Sequence, residues 1–369
     1  QADPAPGEGG GFRVESERAA HDATSRTLIV MAIDLQRRRL LTASAAGASL
    51  AALGPVAQAA NAAAPASLPK ITPPTQLRVG FQKSAVNLVI VKESRALEQR
   101  FPETKVSWLE FPAGPQQLEA LSAGSLDLAI TGDTPPVFAQ AAGKDLRYVG
   151  VEPPKPDSSA ILVPQGSTLK TLGDLKGKRI ALQKGSSAHF LIVRALQKGG
   201  LTFADIQPVY LTPADARAAF ERGAIDAWGI WDPYYAATEL AIKPRVLATG
   251  RGLTSNNSFY FAPRAFTEQH GDTLAAIFAE LSRADRLVQE NRKEAAQRLA
   301  DFSGLSLATV HLFLSRRPPS PVRPLTPEAI AEQQRVADAF HGLGLIPRAV
   351  KPVELVWHPT AAQLAIAQS

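Results

Sequence analysis

RIALQKGSSAHFLIVRALQKGG, residues 179–200, reads as a short strand, a glycine turn and a helix that stops at a glycine pair. Ile180, Ala181 and Leu182 make the apolar strand, and Gly185 permits a sharp turn. Ser186 and Ser187 supply hydroxyls suited to a helix start, and Gly199-Gly200 ends the helix. The same order recurs on both sides. Upstream, strands at 77–81, 105–111 and 126–131 alternate with a helical stretch ending near Arg100 and a helix over 116–122 closed by Gly124. Downstream, strands fall at 209–211, 227–231 and 245–248. Strands alternating with helices predict an α/β protein with a mostly parallel sheet.

Two strand series imply two lobes. Between them, Tyr148 to Glu152, the stretch Pro153-Pro154-Lys155-Pro156 and Ala160 to Val163 read as a crossover, and Ser258 to Ala262 as the return. Long helices follow, for example over 274–292 and 327–340. The expected layout is one lobe (76–157 plus 258–369) interrupted by another (158–257), joined by two crossings that act as a hinge.

Composition narrows the chemistry. The 369 residues carry a formal charge of +6, with no dense Lys/Arg block or aromatic-basic stripe, so no nucleic-acid partner is expected. No Cys is present, which excludes disulfides, thiolate metal sites, a cysteine nucleophile and a lipid-anchored N-terminal cysteine. The single Met is Met31. Ordinary usage over this length would give about ten Cys plus Met. A protein made when sulfur is scarce would show such a bias, and so would a biased codon usage.

From Met31 the chain resembles an export signal. Arg37-Arg38-Arg39 precede an uncharged, small-residue stretch from Leu40 to Val56, and Ala57-Gln58-Ala59 fits a cleavage site. The arginines followed by Leu40-Leu41 give it a twin-arginine character, although Gln36 stands where Ser or Thr is usual. The expectation is therefore a signal peptide over 31–59 cleaved near Ala59, an upstream segment (1–30) outside the fold, an Ala/Pro tether over 60–75, and a periplasmic location.

In open α/β sheets ligands sit beyond the carboxyl ends of the strands, where helix N-termini present unpaired N–H groups to an anion. Three junctions qualify. At Thr131-Gly132-Asp133-Thr134-Pro135-Pro136, Gly132 allows close backbone approach and Asp133 or Thr134 can cap the helix. At Gly185-Ser186-Ser187, with His189 on the first turn, the hydroxyls serve as caps or as ligand donors. There His189 orients or contacts ligand, or is a plain surface histidine. At Trp231-Asp232-Pro233-Tyr234-Tyr235, Asp232 reads as an N-cap ahead of a first-turn proline, and Trp231 and Tyr235 are core residues or walls of the site. A sulfonate is a monoanion that offers only acceptors, so neutral N–H and O–H donors with an apolar wall should hold it.

At these residues the chain resembles the aliphatic-sulfonate-binding proteins of ABC importers, relatives of taurine- and nitrate-binding proteins. The likeness runs through VGFQK (79–83), WLEFPAGPQQLEAL (108–121), TGDTPPVFAQAAG (131–143), YVGVEPPKP (148–156), LKGKRIALQKGSSAH (175–189), LTPADARAAF (211–220) and AWGIWDPYY (227–235). It implies a two-lobed periplasmic-binding-protein fold, type II-like, whose partners are an alkanesulfonate, a permease and its ATPase, with the binding protein monomeric. It further implies that Gln82, Thr131, Gly132, Asp133, Ser186, Ser187, Trp231 and Asp232 line the cleft. Phe81 stands where many relatives carry Tyr.

An enzyme is the rival class. No G-x-S-x-G elbow, H-E-x-x-H helix or phosphate-cradling G-x-x-x-x-G-K-[ST] occurs, and of six His only His189 falls at a junction. A binding protein with neither cofactor nor metal is the expectation. Within binders, taurine, nitrate or a pyrimidine precursor are the alternatives to an alkanesulfonate.

Overall fold

The computed structural model describes residues 71–369; the expected signal peptide, its expected cleavage point, the upstream segment and most of the expected tether lie outside the described residues. The chain begins with β1 (Gln76–Phe81), whose Leu77, Val79 and Phe81 point into the core while Arg78 pairs with Asp127 across 2.6 Å. Helices α1 (Val86–Glu93) and α2 (Ala96–Arg100) lead to β2 (Lys105–Glu110), which lies parallel to β1. Then come α3 (Gly114–Ser122), β3 (Ala129–Thr131), α4 (Thr134–Ala141) and β4 (Arg147–Glu152).

After the first crossing the chain forms β5 (Ser159–Val163), β6 (Arg179–Leu182), α5 (Ser187–Lys198), β7 (Gln207–Tyr210), α6 (Pro213–Glu221), β8 (Ala227–Trp231), α7 (Tyr234–Ile242) and β9 (Arg245–Thr249). It returns through β10 (Ser258–Ala262) into α8 (Arg264–Gln269), α9 (Gly271–Glu290), α10 (Arg292–Ser303), α11 (Leu307–Ser315), α12 (Pro327–Gly342) and α13 (Ala361–Ala367).

The two sheets share one plan. In the second the order is β7-β6-β8-β5-β9, with β6, β7 and β8 parallel and β5 antiparallel to both neighbours. In the first, β2 pairs with β1, and β10 lies antiparallel between β3 and β4. A Val79–Leu128 bridge, with the Gly80 N–H donating to the Leu128 carbonyl at 2.8 Å, joins β1 to β3. The order is thus second, first, third, crossing strand, last in both. Each antiparallel strand is a segment entering from the other half, so the crossings are stitched into the sheets themselves.

Strand alternation sorts the cores. Phe259 and Phe261 of β10 pack on one face with Tyr148 and Leu121, while Tyr260 and Ala262 face α9 on the other. In β5, Ala160 and Leu162 meet Trp228, and Ile161 and Val163 meet Leu191. Expected strands at 179–182, 227–231 and 258–262 stand where the sequence placed them. The one expected over 126–131 shortens to three residues, because Leu126 and Leu128 are fixed by a turn and a single bridge to β1.

A further apolar cluster tells how the halves pack. Val137 and Ala141 of α4, Phe190 and Val193 of α5, and Val336, Ala337 and Phe340 of α12 are buried together. The Phe340 ring lies 5.0 Å from Phe138, 4.9 Å from His189 and 6.0 Å from Phe190. Truncating it empties the seam between helices of both sheets. Phe340→Ala should lower the unfolding free energy in urea by about 3–5 kcal/mol; a loss below about 1 kcal/mol would show that the seam is not well packed.

Candidate functional site

The carboxyl ends of β1, β3, β6 and β8 face one cleft. Its lining takes Gln82, Ser84 and Ala85 from the β1–α1 loop, Gly114 from the start of α3, and Thr131, Gly132 and Pro135 from the β3–α4 junction. Ser186 and Ser187 come from the start of α5, Trp231 and Asp232 from the end of β8. The crossings contribute Lys155, Ser158, Asn256 and Ser258, and the α11 region adds Phe313 and Arg317. Of the expected residues, Gln82, Thr131, Gly132, Ser186, Ser187, Trp231 and Asp232 therefore meet at this cleft.

Local chemistry explains their positions. A Cβ added to Gly132 would sit 1.9 Å from the Ser187 hydroxyl, so the two junctions approach too closely for any side chain there. Ser186 donates its hydroxyl to the Gln183 carbonyl at 2.8 Å and caps nothing, and no side chain caps α5. The first-turn N–H groups of α5 keep their partial positive charge beside the cleft. Gln82 is held by donating to the Gln117 side chain at 3.2 Å and the Ile130 carbonyl at 3.1 Å.

Five expectations need correction. His189 is fully buried, ringed by Phe138, Phe203, Tyr210 and Phe340, and its Nδ1 accepts from the Gly185 N–H at 3.2 Å. Burial, helped by Lys184, lowers its pKa to about 3, so the neutral ring locks the turn from outside the lining and is not a surface histidine. Gly185 adopts φ +71° and packs toward Phe138, away from the lining. Tyr235 is buried beneath the Arg316 guanidinium, 3.7 Å from its ring centre.

Asp133 lies under the lining and caps no helix. Its carboxylate accepts from the Thr134 hydroxyl at 2.9 Å, and the Gln333 side chain donates to its carbonyl. Burial pushes its pKa up to about 6 against hydrogen bonding from Ser187 and Thr134. Asp232 is not the N-cap either, a position Pro233 takes, but it steadies the first turn of α7 from one residue further out. Its Oδ1 accepts from the Ala236 N–H at 2.9 Å and from Arg316 at 3.1 Å, while burial raises its pKa to about 7.

The larger correction is electrostatic. The lining is not made of neutral donors alone, since Lys155 and Arg317 both face it and both contact the buried carboxylate of Glu152 at 3.1 Å. No spacing rule marked them. Lys155 sat in a crossover read as a connection, and Arg317 lies 165 residues from the carboxylate it pairs with.

A buried acid with a raised pKa binds its proton more tightly folded than unfolded, so Asp133 favours folding at low pH and that contribution is lost as pH rises from about 4 to about 6. Asp133→Asn keeps an acceptor without the charge. Relative to the wild type, the variant should gain about 3 kcal/mol of stability between pH 4 and pH 8 in urea titrations; a difference independent of pH would contradict the assignment.

Known proteins align with this geometry. The model of the NMT1-like family matches residues 71–302. The chain is 50% identical over 287 residues to a curated aliphatic sulfonates-binding protein of Escherichia coli (strain K12), covering 78% of this chain and 90% of that one. Among solved structures, the periplasmic aliphatic sulphonate binding protein SsuA from Escherichia coli superposes with a TM-score of 0.73 at 50% identity, over 78% of this chain and 94% of that one. The alkanesulfonate-binding protein SsuA from Xanthomonas axonopodis pv. citri bound to MOPS gives 0.75 at 50% identity, over 78% and 99%. The chain belongs to the NMT1-like family, and within it to the aliphatic sulfonate-binding proteins.

Proposed function

We propose that this protein is the extracytoplasmic receptor of an ABC importer, capturing aliphatic sulfonates between its lobes and passing them to a permease and its ATPase for sulfur acquisition. One observation carries the reading. The cleft joins the uncapped start of α5 at Ser186 and Ser187, with its unpaired N–H groups, to an apolar wall of Trp231 and Phe313. Donors on one side and a wall on the other suit a head group of acceptors carrying a carbon tail. The likeness to sulfonate binders at half identity supports the same ligand class.

Taurine and nitrate fit less well. Taurine's ammonium needs a carboxylate, and the one acidic residue of the lining, Asp232, is already paired with Arg316. Nitrate has no tail to place against Trp231. The working unit is a monomer exported to the periplasm, cut near Ala59, with lobe 1 over 76–157 plus 258–369 and lobe 2 over 158–257. Ligand contacts from both lobes favour closure about the crossings.

Calorimetry should show an alkanesulfonate binding in the micromolar range or tighter, on the order of −8 kcal/mol, with taurine and nitrate weaker. Nitrate binding as tightly as the sulfonate, or no heat with any sulfonate, would sink the assignment. Small-angle scattering should record compaction on saturation; an unchanged radius of gyration would remove the closure step.

A further inference from the structure

Glu152, Lys155, Tyr260 and Arg317 form a buried cluster where the two crossings leave the first sheet. Glu152 is 1% exposed and Arg317 2%. One oxygen of Glu152 accepts from the Tyr260 hydroxyl at 2.9 Å; the other accepts from Lys155 Nζ and Arg317, both at 3.1 Å. Burial pushes the Glu152 carboxyl up, but Arg317 and Lys155 more than reverse this and hold it ionised below its usual range. Two cations thus share one carboxylate. Asp285 lies close enough to be felt by Lys155 but forms no hydrogen bond with the cluster, its carboxylate accepting from the Ser320 N–H and Gln289.

Two donors of this region are left over. Arg317 Nε is buried without a partner, and so is the Ser158 hydroxyl; both residues line the cleft. A buried guanidinium N–H without an acceptor is costly, and charge-assisted hydrogen bonds to an anion are the strongest it can make. Lys155 commits two of its three N–H donors, to Glu152 at 3.1 Å and to the Pro153 carbonyl at 3.3 Å.

We propose that Arg317 Nε and the Ser158 hydroxyl form one half of the head-group site, and that Glu152 trims the positive charge of that half. The site then selects monoanionic over dianionic oxyanions. A sulfonate brings one negative charge and three acceptor oxygens, which suit a partly offset cation pair together with the neutral donors at Gly132 and Ser187. Sulfate brings the same oxygens with a second charge that nothing in the cluster compensates, and burying an uncompensated charge is strongly unfavourable. Glu152 is therefore a specificity-determining residue that never touches the ligand. The inference rests on the sulfonate reading and adds to it the means of rejecting sulfate.

The test is calorimetric, on the whole chain at pH 7, with ethanesulfonate and sulfate as the two probes and melting curves as the folding control. The wild type should bind ethanesulfonate at least about 100-fold tighter than sulfate. Arg317→Gln should weaken ethanesulfonate about 100-fold. Glu152→Gln, compared with the wild type at pH 6 so that Lys155 keeps its proton once its carboxylate partner is gone, should tighten sulfate at least about 10-fold while moving ethanesulfonate less than about 3-fold. Ser158→Ala, a small change that should leave melting unaltered, should weaken ethanesulfonate about 10-fold. If the two charge variants fail to melt cooperatively, Ser158→Ala decides. Ethanesulfonate affinity unchanged in Arg317→Gln or Ser158→Ala, or a sulfonate-to-sulfate ratio unchanged in Glu152→Gln, overturns the inference while leaving the sulfonate reading intact. A wild type that binds no sulfonate overturns both.

Discussion

The carboxylate of Glu152 sits at the last residue of β4, where the chain leaves one sheet for the other, and four groups converge on this residue, one from three residues on and three from more than 100 residues away. Lys155 comes from the first crossing, Tyr260 from the returning strand and Arg317 from beyond α11, while the Asn257 side chain donates to the Glu152 carbonyl at 3.1 Å. An ion buried this completely is tolerable only when opposite charges and hydrogen bonds offset its lost hydration. Meeting that condition fixes both crossings against each other and against the C-terminal helices. The cleft lies directly over this joint, so the geometry that satisfies one carboxylate also sets the distance between the junctions.

A second charged contact works further out. Arg316, next to Arg317, pairs with Asp232 at the end of β8 and with Glu239 on α7, and stacks on Tyr235. Consecutive arginines thus point to different halves. One secures the joint and faces the cleft; the other clasps the second sheet. Together with the Phe340 seam and the close approach of Gly132 to Ser187, this accounts for how the halves hold together.

Much of the site was legible because strand-to-helix junctions carry local signals. Gly132, Ser186, Ser187 and Asp232 are short, polar or glycine residues placed just past an apolar strand, and such positions face a cleft for reasons of topology. The same signals misled at His189 and Tyr235. Both sit on first turns, and nothing local says which side of the helix will be covered by α12 or by Arg316. Asp133 was misjudged for a related reason, since an acid at a helix start reads as a cap until a neighbouring side chain competes for it.

Local sequence determined the strand and helix order, the two series, and the glycine and hydroxyl groups at the strand ends, because each depends on residues within one turn or one strand of each other. Tertiary structure alone decided the charge of the cleft. Lys155 and Arg317 are ordinary basic residues in the sequence, and only folding brings them to one buried carboxylate from segments 162 residues apart. Electrostatic pairing is set by distance in space, and apart from the local Lys155–Glu152 contact the spacing along the chain carries no record of it.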